Sequence, residues 1–228
     1  MSPDAGAGAR MHALVRELYP LPRSITGDAV RQTLARAGEI VPLAVSEVPS
    51  GTPVLDWTVP EEWNLRGAWI DGPDGTRVVD ARDHALHVLG YSVPFRGRLT
   101  RDELDEHLYS LPDAPELIPY RTSYYAPRWG FCLPDRVRRA LPDGEYDVVM
   151  DTSLGPGHLT LGEVVVPGAT EDEILISCHV CHPALANDNL ASLAVALEAA
   201  RALADRPTSL TYRFVFAPGT IGAITWLA

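Results

Sequence analysis

The chain has 228 residues, of which 46% are hydrophobic and 21% charged, and its 30 acidic and 19 basic side chains give a formal net charge of −11. The apolar fraction is too high for a disordered chain, and Gly and Pro follow no G-X-Y period, which excludes a collagen-like chain. Every basic residue is an arginine, and the acidic balance argues against nucleic acid as a partner because phosphate binding needs a basic surface.

The sequence shows no signal for export or for membrane insertion. No stretch reaches the roughly 18 consecutive apolar residues that span a bilayer. Residues 1–6 lack the basic start and the apolar run of a signal peptide. Three cysteines in a chain without such a signal favour reduced thiols. We therefore expect a soluble cytoplasmic protein with no membrane partner.

The first 50 residues predict two helices and a strand. Residues 5–19 carry apolar side chains at the i, i+3, i+4, i+7 spacing of an amphipathic helix. Residues 28–37 form the second predicted helix, and the Ser-Ile-Thr-Gly string at 24–27 can cap it. Residues 40–48 read as a strand, and a Pro- and Gly-rich break follows at 49–53.

The segment from about 54 to 166 is predicted to consist of short elements that are mostly β. Its Asp-Gly turn chemistry and its Thr-x-x-Glu capping box are the clearest local signals. The predicted elements are a hairpin of 68–70 with 77–79, a helix over 100–111, and a strand pair of 146–150 with 159–166.

The last 60 or so residues read as a strand–helix–strand unit of an α/β sheet. Residues 174–177 predict a buried parallel strand, 190–204 an Ala-rich helix, and 212–217 a second buried strand. A further helix is predicted to begin at residue 221. One such unit cannot cover both faces of a parallel sheet, so the chain is predicted to be cut short or completed by elements supplied elsewhere.

The densest group of ligand-type residues lies between the first buried strand and its helix, from Cys178 to Asn189. Loops at the carboxyl ends of strands are where open α/β sheets bind ligands. Cys178, Cys181 and His182 match the haem-attachment pattern C-x-x-C-H, which normally needs export. The two cysteines alone match a redox dithiol. In such pairs the first Cys lies at a helix N-terminus, which lowers its pKa, whereas Cys178 is predicted at the end of a strand.

Two further interpretations of the same loop stay open from the residues alone. A catalytic zinc site needs about three protein ligands and an open position for water, and His179, His182 and Asp188 could supply them. In a purely structural interpretation Asp188 and its neighbours only cap the helix, and the histidines and cysteines are packed loop residues.

The string His-Val-Cys-His-Pro-Ala-Leu-Ala-Asn-Asp-Asn-Leu at 179–190 resembles a bacterial family of aminopeptidase-like proteins, related to zinc exopeptidases of the co-catalytic aminopeptidase fold. The resemblance covers roughly residues 11–228. The other strings that carry it lie at 24–27, 56–60, 62–64, 91–94, 118–125, 129–132 and 218–222.

This resemblance implies a three-layer α/β/α aminopeptidase-like (phosphorylase/hydrolase-like) domain, incomplete, formed by residues 1–50 and 157–228. Residues 51–156 would be an inserted β-rich α+β domain. It also implies hydrolysis of peptide or small amide substrates with one or two Zn²⁺ ions, and we expect a homo-oligomer. Because members of the family look longer, it further implies a chain truncated at its C-terminus whose activity is in question.

Carried over residue by residue, the resemblance makes His182 and Asp188 metal ligands and puts His179 where relatives have their first zinc-binding His. His179 and His182 therefore compete for one role. Cys181 stands where relatives have an acidic residue, and a thiol cannot orient a His as a carboxylate would.

Gly219 stands where related exopeptidases carry the Glu that moves the proton, so no catalytic acid or base is identified. The predicted function is a metal-dependent aminopeptidase-like hydrolase. The alternative is a non-catalytic binding or scaffold protein that retains the fold.

Overall fold

A computed structural model describes residues 6–124 and 126–228, and the chain divides into two compact units. The first unit comprises Met1–Glu62 and Pro156–Ala228, and the second comprises Trp63–Gly155. Residues 51–62, which the sequence prediction assigns to the insert, group with the first unit. Ala5 and Tyr125, which the sequence predictions include, lie outside the described residues. Within the described residues, no helix has the length and apolar character needed to cross a membrane.

The described part of the chain forms six α-helices and twelve β-strands. The helices are α1 (Ala7–Leu18), α2 (Asp28–Gly38), α3 (Arg101–Asp105), α4 (Asp135–Arg139), α5 (Ala191–Ala204) and α6 (Ile221–Leu227). The strands are β1 (Ala44–Pro49), β2 (Pro53–Val54), β3 (Trp57–Thr58), β4 (Glu62–Asp71), β5 (Arg77–Asp80), β6 (Phe95–Thr100), β7 (Leu108–Tyr109), β8 (Phe131–Cys132), β9 (Glu145–Gly155), β10 (His158–Val166), β11 (Glu173–His179) and β12 (Thr211–Ala217). A 3-10 turn spans Ala85–His87, and a π-helical segment spans Ala186–Leu190.

The first unit is built on a four-stranded sheet with the order β1-β10-β12-β11. β11 and β12 are parallel and α5 connects them, which confirms the predicted strand–helix–strand unit. β10 runs antiparallel to both β1 and β12, so the sheet is mixed and not purely parallel. The predicted α/β class is confirmed.

Helices lie on both faces of this sheet. Successive side chains of a strand point to opposite faces, so β10 can pack against helices on both sides of the sheet. Val164 and Val166 belong to the main apolar core, which α1, α2 and α5 share with Phe214 and Phe216 of β12. Glu163, the residue before Val164, therefore faces the opposite side, where it accepts a hydrogen bond from Trp226 Nε1 of α6 at 2.9 Å. The arrangement is therefore the predicted α/β/α sandwich.

β11 differs from its prediction as a buried strand. It is the outermost strand of the sheet and pairs with β12 alone within the described residues. Leu175 is 51% exposed and Ile174 39% exposed, whereas Cys178 near its end is buried. A continuous apolar run indicates a strand, but burial also requires a neighbour on the outer side, and this strand has none in the part of the chain that is described.

The second unit contains a sheet with the order β5-β4-β9-β6. The predicted hairpin is confirmed, since β4 and β5 pair in antiparallel fashion. The Thr100–Glu103 capping box is confirmed as well, because both of its hydrogen bonds are present. The helix that it starts, however, ends at Asp105 and not at residue 111, since Leu108–Tyr109 is extended and pairs with β8.

The predicted pairing of residues 146–150 with 159–166 is wrong. Both segments are strands, but β9 pairs with β6 in the second unit, whereas β10 pairs with β1 and β12 in the first. The Gly-Pro-Gly string at 155–157 looks like a hairpin turn, yet it connects the two units. Local turn chemistry does not decide which partner a strand takes.

The string at 24–27 does not cap α2 through a side chain, contrary to the prediction. The N-cap residue is Gly27, and no side-chain hydrogen bond is made there. Gly27 has a φ of 98°, in the region that favours glycine. The string thus supplies a backbone conformation for the turn into α2.

Candidate metal centre

The group of ligand-type residues lies at the carboxyl end of the two parallel strands. β11 ends at His179, which stands opposite Ala217, the last residue of β12. The next residue, Val180, donates its backbone N–H to the Ala217 carbonyl at 3.0 Å. The chain then passes through a loop and the π-helical segment before α5 begins. This is the edge at which α/β sheets bind ligands.

The structure brings together all three of the residues predicted as metal ligands. His179 Nε2 lies 2.6 Å from Asp188 Oδ1, and His182 Nδ1 lies 3.8 Å from the same oxygen. The two imidazole rings are 4.9 Å apart at an interplanar angle of 70°. One ligand atom from each residue lies within 4.8 Å of the other two. The predicted competition between the two histidines is therefore not required by the geometry, because both reach Asp188.

The donor set fits a divalent metal ion. Two imidazole nitrogens and one carboxylate oxygen, with a further position left for water, are the usual protein contribution to a catalytic zinc site. His182 is the more buried of the two histidines, whereas His179 is partly exposed and Asp188 is exposed, so one side of the cluster is accessible. Among the described residues, no other three His, Cys, Asp or Glu side chains bring their ligand atoms as close together as this group does.

The electrostatic environment keeps His182 in the form that binds metals. Burial is the main cause that lowers the pKa of His182, and the nearby His179 and Arg23 lower it further. The Asp188 carboxylate acts in the opposite direction. The neutral imidazole is the form that can donate a lone pair to a metal.

Asp188 does not cap α5, contrary to the structural interpretation. The N-cap residue of α5 is Leu190, and it makes no side-chain cap hydrogen bond. Asp188 and Asn189 have non-helical backbone angles, which interrupt the π-helical segment and turn the Asp188 carboxylate toward the histidines. Asn189 is buried, and its Nδ2 contacts Cys178 Sγ at 3.7 Å.

Gly219 borders the cluster from the end of β12. Its backbone N–H donates to Cys181 Sγ at 3.2 Å, and that sulfur lies 3.5 Å from His182 Nδ1. A Cβ atom at position 219 would lie 3.7 Å from His179 Cβ and 3.5 Å from Cys181 Sγ, which are ordinary van der Waals distances. Position 219 can therefore accept a Cβ atom, which would contact His179.

The backbone beside Gly219 is strained. Thr220 has φ 58° and ψ −71°, and Ile221 N donates to Gly219 O at 2.7 Å. These values define a γ-turn of the rare type, which is unfavourable for a β-branched residue. Strain of this kind concentrates at functional sites, where the surrounding structure holds it in place.

The geometry does not favour a redox dithiol. All three cysteines are free and buried. Burial raises the pKa of Cys178 to about 11, and it also raises the pKa of Cys181. Reactive cysteines have a lowered pKa, because the thiolate is the nucleophile.

We expect none of the three thiols to react with Ellman's reagent at pH 8 in the folded protein, since burial also raises the pKa of Cys132 to about 12. Three equivalents should be released once the chain is unfolded in guanidinium. The measurement is the absorbance of the released thiolate over time in both states. Rapid release of one or two equivalents from the folded protein would support the redox interpretation instead.

Arg23 is a site residue that the sequence analysis missed. It is 2% exposed, its Nε donates to the His182 carbonyl at 3.0 Å, and its Nη1 donates to the Leu18 carbonyl at 2.5 Å. Burial lowers its pKa to about 10, so the guanidinium is still charged at neutral pH. The only sequence signal was its position immediately before the string at 24–27, which contributes to the family resemblance.

The sheet order, the flanking helices and the site at the end of β11 define an aminopeptidase-like α/β/α fold. A zinc aminopeptidase from Bacillus subtilis has a similar structure, with a TM-score of 0.54 at 12% identity over 92% of this chain and 61% of that chain. The profile of the family described as "Domain of unknown function (DUF4910)" matches residues 12–228, and the chain belongs to this family.

Two Clostridium acetobutylicum matches are much more similar. One is a protein named for polysaccharide biosynthesis and an aminopeptidase-like domain, 45% identical over 221 residues that make up 97% of this chain and 51% of the relative. The other is a crystal structure named as a peptidase, with a TM-score of 0.95 and 45% identity over 96% of this chain and 52% of that chain. The chain thus spans about half the length of these relatives. The resemblance to aminopeptidase-like proteins is confirmed.

Proposed function

We propose that the chain carries the metal site of a zinc-dependent hydrolase, which cleaves a peptide or small-amide bond next to a free amino group. The observation that carries this proposal is the convergence of His179, His182 and Asp188 at the carboxyl end of β11. The aminopeptidase-like fold of the family supports the same class of reaction. The three free cysteines support a cytoplasmic location.

In this proposal the three side chains would hold one zinc ion, or share two. Bound zinc supplies a Lewis acid for a carbonyl oxygen and lowers the pKa of a water molecule. The residues of the chain do the positioning. Asp188 Oδ1 lies within reach of both histidines, and the interrupted helix start fixes where its carboxylate points. His179 is partly exposed and Asp188 is exposed, so a substrate could approach the site from that side.

A specific observation favours a second candidate, a non-catalytic binding protein with the same fold. The described metal-binding group contains a single carboxylate, Asp188, which is itself a proposed ligand. Gly219, at the position where the resemblance places a Glu, has no side chain that could move a proton. Such a protein would bind the metal and a ligand without turning the ligand over.

The test compares the zinc-loaded chain with its Gly219→Glu variant on leucine p-nitroanilide. A Cβ atom at position 219 would be in van der Waals contact with His179, so the substitution brings a carboxylate next to the cluster. We expect Gly219→Glu to raise the rate by about 100-fold or more, the usual contribution of a placed general base. Gly219→Gln is the matched control, since it has the same size and no charge.

Equal rates for the Glu and Gln variants would exclude position 219 as the place of the base. If all three proteins bind zinc and none releases p-nitroaniline, the hydrolase proposal fails for this substrate class and the binding-protein candidate is favoured.

A further inference from the structure

Arg23 is an unusual side chain to find in the interior of this unit. It is among the largest fully buried residues of the described chain. Arginine is almost never fully buried unless it is paired, because removing its charge from water is costly. Its Nη2 atom is buried without a hydrogen-bond partner, and no carboxylate forms an ion pair with it among the described residues. A buried guanidinium without an ion-pair partner is not explained by a gain in stability.

The two hydrogen bonds that Arg23 makes indicate a role in fixing the backbone. Both go to main-chain carbonyls, those of Leu18 at the end of α1 and of His182 in the metal-centre loop. The planar guanidinium presents its donors in a fixed fork, so it sets the separation and direction of the two carbonyls that it bridges. The end of α1 is well anchored, because Leu14 and Leu18 lie in the main core.

The loop that Arg23 reaches has little regular structure of its own. It runs from Val180 to Leu185, between the end of β11 and the π-helical segment. Ala184 within it has a φ of 44°, which is uncommon for a residue with a side chain. A loop of this kind can hold a ligand side chain in one orientation only if something outside the loop fixes its backbone.

We propose that Arg23 is a positioning residue for the metal centre, which holds the backbone of His182 so that its imidazole faces Asp188. This inference rests on the proposed metal site. Arg23 does not touch the metal position through any of its hydrogen bonds, and it acts through His182. Outer groups that orient a ligand typically change metal affinity by about 10–100-fold when they are removed.

The test measures metal binding and not activity. Co²⁺ and Zn²⁺ are titrated into the wild-type chain and into Arg23→Met, Arg23→Gln and Arg23→Lys, and the Co²⁺ absorption spectrum reports the coordination geometry. We expect Arg23→Met and Arg23→Gln to bind about 10–100-fold more weakly with an altered Co²⁺ spectrum. Arg23→Lys keeps the charge but has all its donors on one nitrogen, without the fixed fork of the guanidinium, so its metal affinity should fall between that of these two variants and that of wild type. Arg16→Met, an exposed arginine of α1, is the matched control and should bind like wild type.

A double-mutant comparison separates positioning from a general effect on the fold. In a His182→Ala background the loss caused by Arg23→Gln should disappear, because the residue that it positions is gone. An equal loss in both backgrounds would overturn the proposal, as would wild-type affinity and spectrum in the Arg23 variants. If Arg23→Met does not fold, the metal affinities and Co²⁺ spectra of Arg23→Lys and Arg23→Gln are compared with wild type instead.

The outcome for the proposed function is read separately. A wild-type chain that binds metal but hydrolyses nothing leaves the role of Arg23 intact while the hydrolase proposal fails. A wild-type chain that binds neither Co²⁺ nor Zn²⁺ overturns both.

Discussion

Replacing His182 and Asp188 together by Ala is expected to abolish stoichiometric zinc binding. The double substitution leaves only His179 of the three ligand residues that lie within 4.8 Å of one another. Because loss of an outer partner already costs about 10–100-fold in metal affinity, loss of two direct ligands should cost at least about 100-fold. The measurement is zinc content by mass spectrometry after dialysis, together with calorimetric titration of the metal-free chain.

The matched control is the pair His12→Ala and Asp205→Ala. Both residues are exposed, lie on or at the end of a helix of the same unit, and do not belong to the cluster. The control should keep the zinc content and the affinity of the wild-type chain. If instead the His182→Ala, Asp188→Ala variant keeps its zinc, these residues do not hold the metal and the proposed function loses its main support.

Gly168→Ala is expected to lower the free energy of unfolding by about 3 kcal/mol or more. A Cβ atom at this position would overlap the carbonyl carbon and oxygen of Leu210 and lie 2.7 Å from the Thr211 backbone nitrogen. These are main-chain atoms next to β12, which cannot move aside as the end of a flexible side chain could. Gly168 N also donates to Thr211 Oγ1 at 3.0 Å, so the two segments are held together.

The measurement is urea unfolding followed by circular dichroism, with Gly8→Ala as the control. Gly8 lies in α1, and a Cβ atom there would meet nothing within 4 Å. Since Ala is a better helix former, Gly8→Ala should leave the stability unchanged or raise it by up to about 1 kcal/mol. A change of less than about 0.5 kcal/mol for Gly168→Ala would show that the backbone yields at little cost.

The sequence predicted elements whose signals are local. α1 and α5 follow from their apolar periodicity, and the start of α3 follows from its capping box at Thr100. The pairing of β9 and the edge position of β11 could not be predicted in this way. Both depend on which strands come to lie side by side from distant parts of the chain, and no short window of sequence contains that information.

The candidate site shows the same division. His179, His182 and Asp188 lie within ten residues, and they could be predicted as a group because their residue types are the ones that metals bind. The role of Arg23 could not be predicted from the sequence, since Arg23 lies 159 residues from His182 and arginine is rarely buried. The geometry that lets both histidines reach one carboxylate also depends on the irregular backbone at Asp188 and Asn189, for which the sequence offers no pattern.

The outer position of β11 has a consequence for the thermodynamics of the site. Among the described residues β11 pairs on one side only, and backbone amides that lack a strand partner can exchange their hydrogens through local opening without global unfolding. His179 is the last residue of this strand, whereas Asp188 stands at the approach to α5, which is packed into the core. Any ion that joins the two residues therefore has to hold the end of β11 closed, so the affinity for metal and the rate of amide exchange along β11 are linked quantities.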